Sequence, residues 1–204
     1  MTAGRSRWAL LAALFVVLVS LDQWTKYLAV ERLTTVFDRA GDAGIVQRVR
    51  GFYGYEHLEP LATDPYYVWR PLWRMNYVEN PGAAWGLFRG FSPEFRNLFF
   101  TLVSICAVAF ILNYYRRLRD DQRFLQVALA LVLAGAVGNF IDRLARKYVI
   151  DFVEWYWWNR PDLRWPTFNI ADSLIVVGVA MLIIHPGGAE RALVLSRDKE
   201  KGAA

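Results

Sequence analysis

A chain of 204 residues fits one domain, and 55% hydrophobic with 16% aromatic residues exceeds the usual soluble balance. The net charge of +5 suits anionic lipid headgroups as well as nucleic acid, but the basic residues flank apolar segments and form no continuous patch, so membrane lipid is the expected partner and nucleic acid is not. The single cysteine, Cys106, excludes an internal disulfide and a cysteine-based metal site, and reads as a small buried hydrophobe.

About 20 residues at about 1.5 Å rise each cross a hydrocarbon core. The first such stretch, about residues 8–28, follows Arg5 and Arg7 and resembles the start of a signal peptide. No small-residue cleavage site follows it; the run meets Asp22 and Lys26 instead, so a retained helix is expected. The long connection 29–97 has a glycine- and charge-rich part around Asp38–Gly54 that reads as a loop, then an aromatic, partly alternating run at Tyr66–Val78 that reads as strands. A second membrane helix is expected at about 98–115, an arginine-dense turn at 116–123 and a third helix at about 124–144. In the third, Ala130, Ala134 and Gly138 form a small-residue face that lets another helix approach closely. Residues 145–167 include an alternating strand, Val149–Trp155, and the cluster Trp155, Trp157, Trp158 and Trp165, suited to a bilayer interface. The fourth helix is expected at about 168–184, stopped by His185-Pro186-Gly187-Gly188.

Arginine and lysine in the short loops and at the termini place both termini and the 116–123 turn in the cytoplasm, with 29–97 and 145–167 outside. The polar residues then gather at the outer ends: Asp22 and Lys26 on helix one, Asn139, Asp142 and Arg143 on helix three, Asn169 and Asp172 on helix four. The fold class is therefore mainly α, a single integral membrane domain over 1–204 with four transmembrane helices and a small extracytoplasmic β-sheet or cradle.

A carboxylate near hydrocarbon depth is costly and marks a functional site by default. Two close carboxylates share a proton and split their pKa values, so one can take a proton from water while the other protonates a carbonyl oxygen. Asp172 is the first candidate, with Asn169 one turn away on the same face. Its partner is open between two acids. Asn139-x-x-Asp142 repeats the spacing of Asn169-x-x-Asp172, although Arg143 and Arg146 make Asp142 a charge partner; Asp151 has apolar neighbours, Ile150 and Phe152, which suit a perturbed carboxyl.

Asp22-Gln-Trp-Thr-Lys26, Asn80-Pro-Gly-Ala-Ala-Trp85, Gly138-Asn-Phe-Ile-Asp-Arg143, Val149-Ile-Asp-Phe152 and Phe168-Asn-Ile-Ala-Asp172, in that order, resemble the signatures of bacterial lipoprotein signal peptidase, or signal peptidase II. That family is a membrane aspartyl peptidase of the bacterial inner membrane. It removes signal peptides from prolipoproteins whose cysteine already carries diacylglycerol. The resemblance implies a catalytic pair of Asp151 and Asp172, with Asn139, Arg143 and Asn169 supporting it or contacting substrate and Asn80 as an outer-loop substrate contact. Asp22 and Lys26 would brace helix one against the site, and Asp142 becomes a supporting acid. Two departures stand out: Pro81 replaces the commoner threonine, and the stretch from Lys26 to Asn80 is about twice the usual length. Residues 38–70 thus read as an insertion, a surface element whose shortening leaves catalysis possible.

No metal or other cofactor is expected. His-Glu-x-x-His is absent, and His57 and His185 fall on opposite predicted sides. Ser104 and Ser173 lack a G-x-S-x-G context, and no phosphate-cradling glycine loop occurs. The rivals are a proton-coupled transporter using an aspartate relay, which would spread its acids through the bilayer depth, and a non-enzymatic membrane subunit with acids paired to arginines.

Overall fold

The computed structural model describes residues 3–38, 44–54, 57–82, 88, 90–158 and 160–185. Among the described residues, three helices are long and apolar enough to cross a membrane. They lie within α1 (Ala3–Leu33), α3 (Pro93–Tyr115) and α4 (Arg123–Arg146). A further apolar helix, α5 (Ile170–Ile184), has 15 residues, shorter than the roughly 20 a full span needs. It begins two residues later than the sequence suggests because Asn169 caps it. The Asn169 side chain accepts from the Asp172 N–H, and the Asp172 side chain accepts from the Asn169 N–H. Phe168 is held instead in a bridge to Val153.

The other helices outrun their expected ends for local reasons. Ser92 caps α3, accepting from the Phe95 N–H, and Pro93 sits in the first turn where its missing N–H costs nothing. Lys147, in the left-handed conformation at φ 68°, closes α4. The polar residues Asp22 and Lys26 do not end α1. They pair along one face, and the helix continues to Leu33.

Helix α4 is the centre of the bundle. Gly135, Gly138 and, on α5, Gly178 are the points of close approach. A Cβ on Gly135 would lie 2.4 Å from the Ala171 carbonyl oxygen, and one on Gly178 would lie 2.8 Å from that of Ala128. Ala130 and Ala134 are fully buried. Cys106 is exposed on α3, contrary to the buried reading; α3 meets the bundle along one side and turns much of its apolar surface outward, Cys106 included.

The sheet is antiparallel in the order β1 (Tyr66–Trp69), β2 (Trp73–Asn80), β3 (Val149–Trp157) and β4 (Arg160–Arg164). It packs at the end of α1 and α4 that holds Lys26 and Arg146, over a core of Tyr27, Val30, Leu33, Tyr77, Ile150 and Phe152. A second core, around Leu11, Tyr115, Leu125 and Leu129, ties the opposite ends of α1, α3 and α4.

The 38–70 segment is more structured than a surface loop. Residues 45–54 form a helix, α2 (Ile45–Gly54), and Phe52 and Leu58 enter the first core. Arg48 pairs with Glu31 of α1 at 3.1 Å, and buried Arg146 donates from Nε to the Phe52 carbonyl at 2.8 Å. Residues 39–43 and 55–56, and the Ala83-Ala84-Trp85 part of the Asn80 motif, lie outside the described residues, as do residues 186–204 with the Pro186-Gly187-Gly188 stop.

Candidate active site

The antiparallel course of α4 and α5 puts their polar ends together, and β3 leaves α4 through the Lys147 turn to run beside them. Asp151, fully buried on β3, therefore faces the start of α5. One oxygen accepts from Asn169 Nδ2 at 2.8 Å and the other from Asn80 Nδ2 at 2.9 Å. Asp172 accepts from Asn139 Nδ2 at 2.8 Å. The two amides are joined, since Asn169 Nδ2 also reaches Asn139 Oδ1 at 3.1 Å. A chain of Asp151, Asn169, Asn139 and Asp172 results. Burial and the nearby Asp172 charge raise the Asp151 carboxyl well above the ordinary 3.8, against the lowering effect of its amide donors.

Asn80 is aimed by the turn that follows it. Gly82 has φ 92°, and its N–H donates to Asn80 Oδ1 at 2.9 Å, leaving Nδ2 pointed at Asp151. A side chain at 82 is excluded twice, by that conformation and by Phe100, whose ring a Cβ would meet at 2.3 Å.

Asp142 stands apart from this chain. Its carboxylate is shared by Lys26 Nζ at 2.9 Å, Arg146 Nη1 at 2.9 Å and the Ile150 N–H at 3.2 Å, with no exposure to solvent. It is a buried charge partner, placed to fix α1, α4 and the start of β3. Lys26 also pairs with Asp22 at 2.8 Å and donates to Asn139 Oδ1 at 3.1 Å, so the ionic cluster abuts the amide chain. Asp22 in turn accepts from the Ala171 N–H at 2.9 Å, tying α1 to the start of α5. Gly138 permits this, since a Cβ there would lie 2.5 Å from Asp22 Oδ2. Arg143, half-buried, donates to the Asn139 carbonyl at 3.3 Å and lies over the Phe100 ring.

All nine residues singled out from sequence thus fall in two adjoining groups. Gln23 was not among them, yet its amide bridges Asp22, the Gly138 carbonyl and Asp142 at 3.1 to 3.2 Å; its place beside Asp22 was the available signal. His57 sits against Glu79 and Tyr148, and His185 against Phe124 at the other end of α4.

The arrangement can hold one proton between two carboxylates and present them to water and an acyl group. A family model for signal peptidase (SPase) II matches residues 14–186. A lipoprotein signal peptidase of Anaeromyxobacter sp. (strain Fw109-5) is 73% identical, covering 96% of this chain and 92% of that protein. One from Geobacillus thermodenitrificans (strain NG80-2) is 36% identical over 82% of each. Among solved structures, a bacterial membrane enzyme determined at 2.3 Å by the in meso method superposes with a TM-score of 0.60 at 28% identity, over 86% of both chains. None of these relatives supports the transporter reading.

Proposed function

The chain belongs to the signal peptidase II family, aspartic peptidases that cleave signal peptides from prolipoproteins, and from that premise we propose that Asp151 and Asp172 are its catalytic pair. The observation that carries this is the amide chain from Asp151 through Asn169 and Asn139 to Asp172. Asp151, with its raised pKa, holds the shared proton and gives it to the scissile carbonyl oxygen. Asp172 takes a proton from water as its oxygen attacks the carbonyl carbon. The tetrahedral species then collapses, the C–N bond breaks, and the proton passes to the leaving amine. Asn139, Asn169 and Asn80 orient the carboxylates, and Arg143 faces the substrate side; Asp22, Lys26 and Asp142 brace the helices behind them.

The substrate cysteine carries diacylglycerol, whose acyl chains hold the scissile bond near the headgroups. Helix α5 acts as a fourth, short span in this reading, continued by the polar residues at its start. Both termini are cytoplasmic and the site faces outward from the inner membrane. A purified preparation in detergent should cleave a prolipoprotein peptide with a diacylglyceryl cysteine and spare the same peptide with a free cysteine. Equal cleavage of both would remove lipid recognition from the account.

A further inference from the structure

Beyond the dyad, the same face of the sheet carries a second polar cluster that the reaction scheme does not use. Both Phe152 and Val153 N–H groups donate to the Phe168 carbonyl, at 3.1 and 2.8 Å. This is a bulge that turns two successive residues to one side. Asp151 and Glu154 consequently share the opposite face. The register agrees: Asp151 lies across from Val78, Glu154 from Arg74, and Arg74 from Tyr67, so Asn80, Asn76 and Arg74 alternate along that face of β2. Glu154 is fully buried under Arg74 Nη2 at 2.6 Å and Asn76 Nδ2 at 3.1 Å, with Arg164 Nη1 at 3.8 Å. Arg74 also covers the Tyr156 ring, whose residue is 6% exposed and whose hydroxyl has no hydrogen-bond partner among the described residues. One carboxylate thus faces two guanidinium groups, and the ring that Arg74 covers carries a buried hydroxyl with no partner among the described residues.

We propose that this cluster is a subsite for the mature side of the substrate, and that Arg74 and Arg164, with the Tyr156 hydroxyl, favour an acidic side chain there. It rests on Asp151 belonging to the dyad. Strand residues rise about 3.3 Å each, so Glu154 lies roughly 10 Å along the sheet from Asp151, about three residues of an extended peptide. The signal side of the scissile bond is apolar and gains nothing from a charged surface. The mature side is left to run over it.

The test compares two synthetic diacylglyceryl prolipoprotein peptides differing only in Asp or Lys at the second to fourth mature positions. The purified protein should cleave the Asp peptide with a kcat/KM roughly two- to fivefold higher, the scale of a partly exposed ion pair. Arg74→Gln and Arg164→Gln should each bring the ratio towards one, and Arg74→Lys should keep most of it. Arg164 is well exposed, its side chain at 60%, so its variant serves even if Arg74→Gln fails to fold. Equal cleavage by the parent, or an undiminished ratio in folded Arg74→Gln and Arg164→Gln, overturns the subsite. Near-parental cleavage of both peptides by folded Asp151→Asn would instead count against the catalytic assignment on which it rests.

Discussion

At Asn169 one side chain meets both proposed catalytic residues, donating to the Asp151 carboxylate and accepting from the Asp172 backbone N–H. A neutral amide orients a dyad without moving its protons, so Asn139→Ala and Asn169→Ala should lower kcat about ten- to a hundredfold and leave measurable turnover. That is the scale of one donor lost from a buried polar group, roughly 1–3 kcal/mol. Parent-like rates in both would dissolve the supporting role. The pH dependence can be signed as well. Asp151 stays protonated above the ordinary 3.8, so activity should be lost as pH rises through its raised value. The Asn80 amide favours the ionised form, one of the effects that lower this pKa. Removing it in Asn80→Ala should move the alkaline limb of kcat/KM to higher pH; a limb that stays put or falls would show that Asp151 does not set it. The choice between Asp142 and Asp151 was not legible in spacing, because it turns on partners from other elements: Lys26 of α1 joins the neighbouring Arg146 at Asp142, whereas among the described residues Asp151 accepts from the amides of Asn80 and Asn169.

Among the elements, α1 is joined to α4 and α5 by charges with no solvent to screen them. Lys26, Asp22, Asp142 and Arg146 are balanced in sign and almost wholly buried. Breaking one buried partner leaves an uncompensated charge, a loss of about 3–5 kcal/mol. Lys26→Met and Asp142→Asn should therefore lower the thermal midpoint in detergent, and the fraction of Asp142→Asn that remains folded should keep substantial turnover. Complete inactivity of well-folded Asp142→Asn would return it to catalytic candidacy. Helix α2 was hidden in the sequence by Gly51 and Gly54 and by its charged setting, although Ile45, Val49 and Phe52 stand at helical spacing. Ten residues make a marginal helix alone; packing of Phe52 and the Arg146 bond to its carbonyl hold it here. Deleting residues 45–54 should thus destabilise the fold, which revises the expectation that shortening the segment is tolerated. Unchanged thermal stability of the deletion would restore that expectation. Strands β1, β2 and β3 were legible in alternation and aromatic content. The bulge that gathers Asp151 and Glu154 on one face was not, because it is made by the Phe168 carbonyl, which follows β4 in the chain and returns to pair with β3 at Val153.

For the molecule as a whole, the sequence made the depth of the polar groups readable, since apolar runs fix where a helix lies and only one end of each carries acids. The fourth run was less readable in length, because Asn169 withdraws from the helix to cap it. The proposed topology follows from that one-sided arrangement. Single cysteines at positions 60, 120 and 160, in a Cys106→Ala background, should react with a membrane-impermeant reagent from outside, inside and outside respectively. Outside labelling at position 120 would invert the molecule and move the acids to the cytoplasmic face. The catalytic pairing is tested most directly by single-turnover cleavage of a diacylglyceryl prolipoprotein peptide by purified, folded Asp151→Asn, Asp172→Asn and Asp142→Asn proteins alongside the parent. Loss of general acid–base catalysis predicts a fall of about a hundred- to ten-thousandfold or more in the first two, with substantial turnover retained in the third. Near-parental cleavage by Asp151→Asn, together with none by folded Asp142→Asn, would contradict it and assign the dyad to Asp142 and Asp172.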